Sequence, residues 1–246
     1  MAIELTVEEF LQGSLALIFI IISFIVGIKL LMKYNTHKQN TLLFAGLSWI
    51  LIVSPWFNTG FNFLYVVLTG NSMSDQIYLL IGYSWVPLPL VFWLIVYTDL
   101  KLKKKQKLVV SIAIIQGILY EIIFLYFIFT DFSVIATKEG IFNDELTTPF
   151  LLYILVVLVI AIFTGFSFGL ESFKSTNPEI KLKGKFILAA WISFFVGALL
   201  DAGLFAFTAL LLILVRIILM SSAIEFYFGF FLPKWLKELL LKEEKG

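Results

Sequence analysis

The sequence contains no cysteine and one histidine, His37, and charged residues make up only 14% of its 246 residues. The lack of cysteine excludes disulfides, thiolate metal sites and a cysteine nucleophile, and a single histidine excludes most histidine-based zinc and haem sites. The formal net charge of +1 provides no basic face for nucleic acid. We therefore expect no cofactor, no metal site and no nucleic-acid partner.

Hydrophobic residues, in contrast, make up 61% of the chain, and the mean hydropathy is +1.01. Soluble domains carry roughly 25% charged residues, so this composition indicates a polytopic membrane protein. A bilayer crossing needs about 20 apolar residues, which leaves room for about seven crossings with short loops. We expect the whole chain, residues 1–246, to form a single transmembrane domain.

Long apolar runs between polar clusters predict an all-α bundle of seven transmembrane helices. Thr6 and Glu9 form a capping-box pattern, and Pro149 and Pro178 each follow a residue suited to a helix start. The last two helices are divided at a turn over 203–208, because the combined run is too long for one crossing. Three helix prolines, Pro55, Pro87 and Pro89, are expected to kink or loosen the second and third helices. The predicted helices are 9–32, 41–68, 77–98, 108–130, 149–170, 186–205 and 209–231.

The loops differ strongly in lysine content, which predicts the orientation. Fifteen lysines lie on one side of the predicted bundle and one, Lys138, lies on the other. The lysine-rich side is expected to be cytoplasmic, which places the N-terminus outside and the C-terminus inside a cell membrane. The first segment does not have the pattern of a cleavable signal peptide. Beyond Pro233, the tail predicts either a short interfacial helix with Trp235, Leu236, Leu239 and Leu240 on one face, or a frayed extension of the seventh helix.

Four residues with a carboxylate or guanidinium group fall well inside predicted helices, at membrane depth: Glu121, Asp201, Arg216 and Glu225. Each costs at least ~2.5 kcal/mol on insertion scales, so such residues usually face the bundle interior and pair. Asp201 and Arg216 lie at similar distances from the predicted turn and are expected to form an ion pair, with Glu121 as a second partner if its helix is adjacent. Glu225 is expected near Ser48, Thr164, Ser167 or a lysine. Three acids facing one arginine predict that at least one carboxyl group is protonated.

Uncharged polar residues lie at a comparable depth. Asn58 and Asn62 share one face of the second helix, and Tyr83 and Trp85 begin the outer half of the third. We predict an outward-facing polar cluster that either binds a ligand or only joins the helices by hydrogen bonds and an ion pair. Its members are Asn58, Asn62, Tyr83, Trp85, Glu121, Asp201 and Arg216.

Several classes of seven-helix protein and membrane enzyme lack support in the sequence. The seventh predicted helix contains Arg216 but no lysine, so a retinal Schiff base is excluded. The Asn-Pro-x-x-Tyr run and extracellular disulfide of animal receptors are missing. Intramembrane serine and aspartyl proteases need a base beside serine or two facing aspartates, whereas His37 is in a loop and Asp201 is the one aspartate well inside a helix. We predict that the protein is not an enzyme.

Five segments of the sequence are distinctive: SPWF at residues 54–57, TDLKLKKKQK from Thr98, NPEIKLKGK from Asn177, ISFFVGALLDAG and VRIILMSSAIEFYFGFFLP. With these segments the chain resembles an uncharacterised group of seven-helix archaeal membrane proteins. The ending, with Arg216, Ser222, Tyr227, Gly229 and Pro233, more weakly resembles the seven-helix sensor modules of histidine kinases. The first resemblance implies the architecture, and the second implies a sensor that acts through a separate partner.

Function is predicted from these features together. The leading hypothesis is a receptor-like or sensor-like module that binds a small ligand in its outer half. The basic run from Lys101 to Lys107 is then a site for anionic lipids or a cytoplasmic protein partner, or simply a determinant of topology. The alternatives are a small-solute or proton-coupled transporter and a non-catalytic subunit of a membrane complex.

Overall fold

The computed structural model describes residues 3–201 and 208–242. Within these ranges, seven helical segments are long and apolar enough to cross a membrane, so the chain is a multi-pass membrane protein with an all-α fold. The helices are α1 Val7–His37, α2 Asn40–Ile52, α3 Phe57–Thr69, α4 Asp75–Tyr83, α5 Pro87–Lys101, α6 Gln106–Thr130, α7 Thr148–Phe173, α8 Pro178–Asp201, α9 Ala209–Phe231 and α10 Lys234–Lys242. A hairpin of two strands, β1 Ala136–Glu139 and β2 Asn143–Leu146, connects α6 to α7.

Two of the seven segments are broken near their middle. The second consists of α2 and α3, joined by a 3₁₀ turn at Ser54–Trp56, and the third consists of α4 and α5. The predicted continuous helices 41–68 and 77–98 are therefore each two helices. The breaks fall at Pro55 and just before Pro87, because proline lacks the backbone N–H that an uninterrupted helix needs.

Six of the seven predicted helix starts lie within two residues of the starts in the structure. Thr6 and Glu9 form the complete capping box of α1, and Thr208 caps α9 by accepting a hydrogen bond from the Leu211 backbone N–H at 3.2 Å. Helix α8 begins at Pro178, not at residue 186, because hydropathy detects only the apolar part of a helix that starts with lysine-rich turns. The predicted turn between the last two helices covers residues 203–208, of which 203–207 lie outside the described residues.

The helices pack mainly on their sequence neighbours. Helix α8 lies between α7 and α9, α1 contacts α2, α3 and α9, and α5 contacts α2, α6 and α7. A Cβ atom on Gly184 would lie 2.3 Å from the backbone nitrogen of Phe173, so only glycine permits the close approach of α8 to the end of α7. Large aromatic side chains fill the interior, among them the fully buried Trp49, Trp93 and Trp191.

The tail forms a separate helix, α10, after Leu232 and Pro233. Leu236 packs with Leu182 of α8 and Leu232, whereas Trp235 and Leu239 are exposed. The tail is therefore a distinct helix and not an extension of α9. Its predicted apolar face is only partly buried, since Leu236 contacts the bundle whereas Trp235 and Leu239 are mostly exposed.

Candidate functional site

A cavity of about 750 Å³ lies at the end of the bundle that carries the β-hairpin. The hairpin and the start of α1 line its upper part, and residues of α3, α5, α7, α8 and α9 line its lower part. Both helix breaks border it, through Ser54, Pro55 and Trp56 on one side and Val86 on the other. The fold thus places irregular backbone at the wall of a cavity, where freed backbone polar groups can be satisfied.

An ion pair between Asp201 and Arg216 lies in the wall of this cavity. Arg216 Nη1 donates to Asp201 Oδ2 at 2.6 Å, and Trp56 Nε1 donates to the same carboxylate oxygen. The Arg216 side chain is only 3% exposed. The ion pair therefore neutralises two charges, on helices that follow each other in the sequence, that would each be costly alone in a membrane.

Two buried polar atoms in the cavity wall have no hydrogen-bond partner among the described residues. They are Arg216 Nε and Ser54 Oγ, on residues that are 3% and 0% exposed. Buried polar groups are nearly always hydrogen-bonded, so these two atoms are exceptions among the residues that line the cavity.

The hairpin contributes a carboxylate to the cavity through Asp144. Tyr83 Oη donates to Asp144 Oδ2 at 2.5 Å, and Asn58 Nδ2 donates to Oδ1 at 3.1 Å. Burial raises the pKa of Asp144 above its usual value, while the hydrogen bonds and the charge of Lys138 act in the opposite direction. Asp144 thus joins α3, α4 and the hairpin at one point in the cavity.

Hydrogen bonds from buried side chains hold the hairpin turn on the bundle. Tyr78 Oη and Thr59 Oγ1 donate to the Phe142 carbonyl at 2.7 and 3.1 Å. Asn62 Nδ2 donates to the Ile141 carbonyl at 2.8 Å, and Asn62 Oδ1 accepts from the Met73 backbone N–H at 2.8 Å. Asn62 therefore fixes both the hairpin and the loop between α3 and α4.

Replacement of Asn62 with alanine is expected to loosen the hairpin, because it leaves the Ile141 carbonyl and the Met73 N–H without their partner. Each lost bond at a buried group costs about 1–3 kcal/mol. Hydrogen exchange of the hairpin amides should accelerate accordingly. Asn71→Ala, at an exposed position in the same loop, serves as the control. Unchanged hairpin exchange in Asn62→Ala would contradict the anchoring role.

Four of the seven residues in the predicted polar cluster line the cavity: Asn58, Tyr83, Asp201 and Arg216. Asn62 is completely buried in the network that holds the hairpin and does not line the cavity. Asn58 and Asn62 thus share one helix face, but Asn58 lines the cavity whereas Asn62 anchors the β-hairpin.

Trp85 and Glu121 do not lie in the cavity wall. Trp85 is 43% exposed, because a residue two positions after the inward-facing Tyr83 points to the opposite side of the helical turn. On α6, Tyr120 faces inward and donates to the Tyr83 carbonyl at 3.1 Å, which turns Glu121 away. The hypothesised contact of Glu121 with Arg216 is not formed, and Glu121 Oε1 is buried without a hydrogen-bond partner among the described residues.

Glu225 lies in the opposite half of α9, beside Ser193 of α8. The three hydroxyl groups expected near it bind elsewhere. Ser48 donates to the Pro89 carbonyl, Thr164 accepts from Trp93 Nε1, and Ser167 accepts from Lys101. Ser193 was missed because its direction depends on the rotation of α8 against α9.

The sequence prediction also missed Asp144 and Trp56. Hydropathy identifies internal carboxylates only within helices, whereas a hairpin strand carries Asp144 into the cavity. Trp56 lies in SPWF, and its proximity to Pro55 was the available signal for a helix break with a freely directed side chain.

A second cleft, of about 480 Å³, lies at the opposite end of the bundle between α2, α5 and α6. Part of the basic run beside it is already paired. Lys101 Nζ lies 2.9 Å from Glu171 and also contacts Ser167, and Lys103 pairs with Asp99. The side chains of Lys104 and Lys105, in the middle of the basic run, are exposed.

Charged, polar and aromatic side chains line the cavity. In the described ranges, no group of three histidine, cysteine or acidic residues is arranged to hold a metal ion. Comparison with known proteins finds no matching family model, no matching curated protein and no matching solved structure.

Proposed function

We propose that this protein is a receptor-like or sensor-like module that binds a small ligand in the cavity beneath the β-hairpin. The observation that carries the proposal is the 750 Å³ cavity itself, whose wall contains the Asp201–Arg216 ion pair and the Asp144 carboxylate. A purely structural ion pair does not require a cavity beside it. Pockets of this size with a few polar groups are typical of small-molecule sites.

The proposed orientation places the hairpin and the N-terminus outside the cell and the lysine-rich loops in the cytoplasm. The cavity then opens to the exterior of a cell membrane. The exposed lysines between Lys101 and Lys107 form the corresponding inner surface for anionic lipids or a partner protein. In this orientation α10 also lies on the cytoplasmic side, where it packs on α8.

A transporter is the second candidate, and the two helix breaks favour it. Transporters commonly build their substrate sites from discontinuous helices near the middle of the bilayer. Here both breaks border the cavity. Glu121 does not line the cavity, so the carboxylates relevant to coupled transport are Asp144 and Asp201.

Cysteine labelling distinguishes these functions, because the natural sequence contains no cysteine. Ala198→Cys introduces a thiol into the cavity wall, and Ser111→Cys introduces one into the cleft at the opposite end. A membrane-impermeant methanethiosulfonate is expected to label Ala198→Cys in intact cells and Ser111→Cys only in inside-out vesicles. Labelling of Ala198→Cys from both sides would favour the transporter. Failure to label it from outside would contradict both the orientation and the outward-facing cavity.

A further inference from the structure

We propose that the ligand of the cavity is a small organic cation that also carries a hydrogen-bond acceptor. This inference rests on the proposed function and names the ligand class of the same site. Among the described residues that line the cavity, carboxylates outnumber cationic side chains by five to one. The carboxylates are Glu8, Glu139, Asp144, Glu145 and Asp201, and the cation is Arg216.

The arginine does not offset this excess, because its charge is already compensated by Asp201 at 2.6 Å. Lys138, on the hairpin, is held away from the cavity. Its Nζ lies 3.3 Å from Asp75 Oδ1, 3.2 Å from Ser72 Oγ and 4.8 Å from the centre of the Tyr78 ring. Four carboxylates therefore remain for an occupant, and Asp144 is the one of them on which the charge of Lys138 acts. Clefts lined by one sign of charge concentrate ions of the opposite sign.

The carboxylates are distributed along the entry path. Glu8, Glu139 and Glu145 are exposed at the upper part of the cavity, whereas Asp144 is partly buried below them. Asp144 receives hydrogen bonds from Tyr83 and Asn58, both of which act as donors. An acceptor surrounded by donors is the geometry of an ionised carboxylate, which a cationic group can then approach.

The remaining walls favour an organic cation over an inorganic one. The rings of Trp56, Tyr83 and Phe142 line the cavity, and aromatic faces attract ammonium groups. The carboxylates are not grouped as metal ligands in the described ranges. Ser54 Oγ and Arg216 Nε belong to lining residues and have no partner among the described residues, so an acceptor on the same molecule would supply the hydrogen bond that each of them lacks. Choline, with a quaternary ammonium and a hydroxyl group, combines these features and is a suitable probe.

The test compares two impermeant thiol reagents of similar size at Ala198→Cys: cationic trimethylammonioethyl methanethiosulfonate and anionic sulfonatoethyl methanethiosulfonate. Asn71→Cys, exposed on the outer loop, corrects for intrinsic reactivity and for the general surface potential. The corrected cation-to-anion ratio of labelling rates is expected to be at least about tenfold. Choline should slow labelling, whereas its uncharged isostere dimethylbutanol should not. Leu155→Cys on α7 is the second position if Ala198→Cys is poorly expressed.

A carboxylate variant tests the cause of the preference. Asp144→Asn in the Ala198→Cys background should lower the corrected cation-to-anion ratio several-fold. The double variant Glu139→Gln/Glu145→Gln, which removes two carboxylates at the cavity entrance, should also lower this ratio. Equal corrected rates for the two reagents, or equal effects of choline and dimethylbutanol, would overturn the cation proposal while leaving an outward-facing site intact. No labelling by either reagent from outside would instead overturn the proposed function.

Discussion

Replacement of Arg216 with methionine is expected to lower the free energy of unfolding by about 3–5 kcal/mol, the usual cost of removing one partner from a buried ion pair. The Asp201 carboxylate would keep Trp56 Nε1 as its donor but would lose the charge that compensates it. The double variant Asp201→Asn/Arg216→Met removes both charges and should recover most of the lost stability. Denaturant titration of the purified protein in mixed micelles measures these differences.

An exposed ion pair provides the matched control for this prediction. Lys237 of α10 pairs with Glu179 of α8, and their side chains are 46% and 34% exposed. Lys237→Met should therefore change the free energy of unfolding by no more than about 1 kcal/mol. An equally small change for Arg216→Met, or a double variant less stable than Arg216→Met, would show that compensation of the Asp201 charge by Arg216 does not stabilise the fold.

The Asp201–Arg216 pair illustrates what the sequence makes predictable. Connectivity and the rise of 1.5 Å per residue place two residues on adjacent antiparallel helices at a similar depth. The long arginine side chain tolerates a small error in this depth. The existence of the seven helical segments was similarly predictable, because bilayer thickness imposes a long apolar run on each one.

The rotation of each helix about its axis was not predictable with equal accuracy. Successive residues differ by about 100° in direction, so a small phase error exchanges an inward position for an outward one. Tyr120 and Glu121 show the consequence, since Tyr120 faces the interior and Glu121 does not reach Arg216. In soluble proteins, the alternation of apolar and polar faces shows which side of a helix faces the core. Membrane helices are apolar on nearly all sides, so this indicator of helix rotation is weak in them.

The hairpin lay beyond sequence reasoning for a different reason. Each strand has only four residues, and the pairing of Ala136 with Leu146 through Glu139 with Asn143 depends on the helices below. Asn58, Thr59, Asn62 and Tyr78 bind the hairpin from α3 and α4. Of the predicted polar cluster, Asn62 therefore only holds the hairpin, whereas Asn58 and Tyr83 line the cavity and also bind Asp144 of the hairpin.

Choline binding is expected to strengthen as pH rises through the raised pKa of Asp144. Burial is the largest cause of that rise, so the fold holds the Asp144 proton more tightly than the unfolded chain does. The contribution of Asp144 to folding is therefore fully present below the ordinary aspartate pKa and is lost as pH rises through the folded-state pKa. A bound cation favours the ionised form, so affinity follows the opposite trend and weakens by up to about tenfold per pH unit below that pKa.

The variant Asp144→Asn isolates this effect from the other titrating groups at the site. Tyr83, Tyr78, Asn58 and Lys138 act on Asp144 directly, whereas the other carboxylates of the cavity, Glu8, Glu139 and Glu145, lie at its entrance. In the variant, choline should protect Ala198→Cys more weakly than in the parent, and the pH slope should retain only the contribution of the entrance carboxylates. An unchanged slope in Asp144→Asn would assign the pH dependence to those exposed carboxylates. The cation would then bind at the mouth of the cavity, above the carboxylate that the hairpin carries inside.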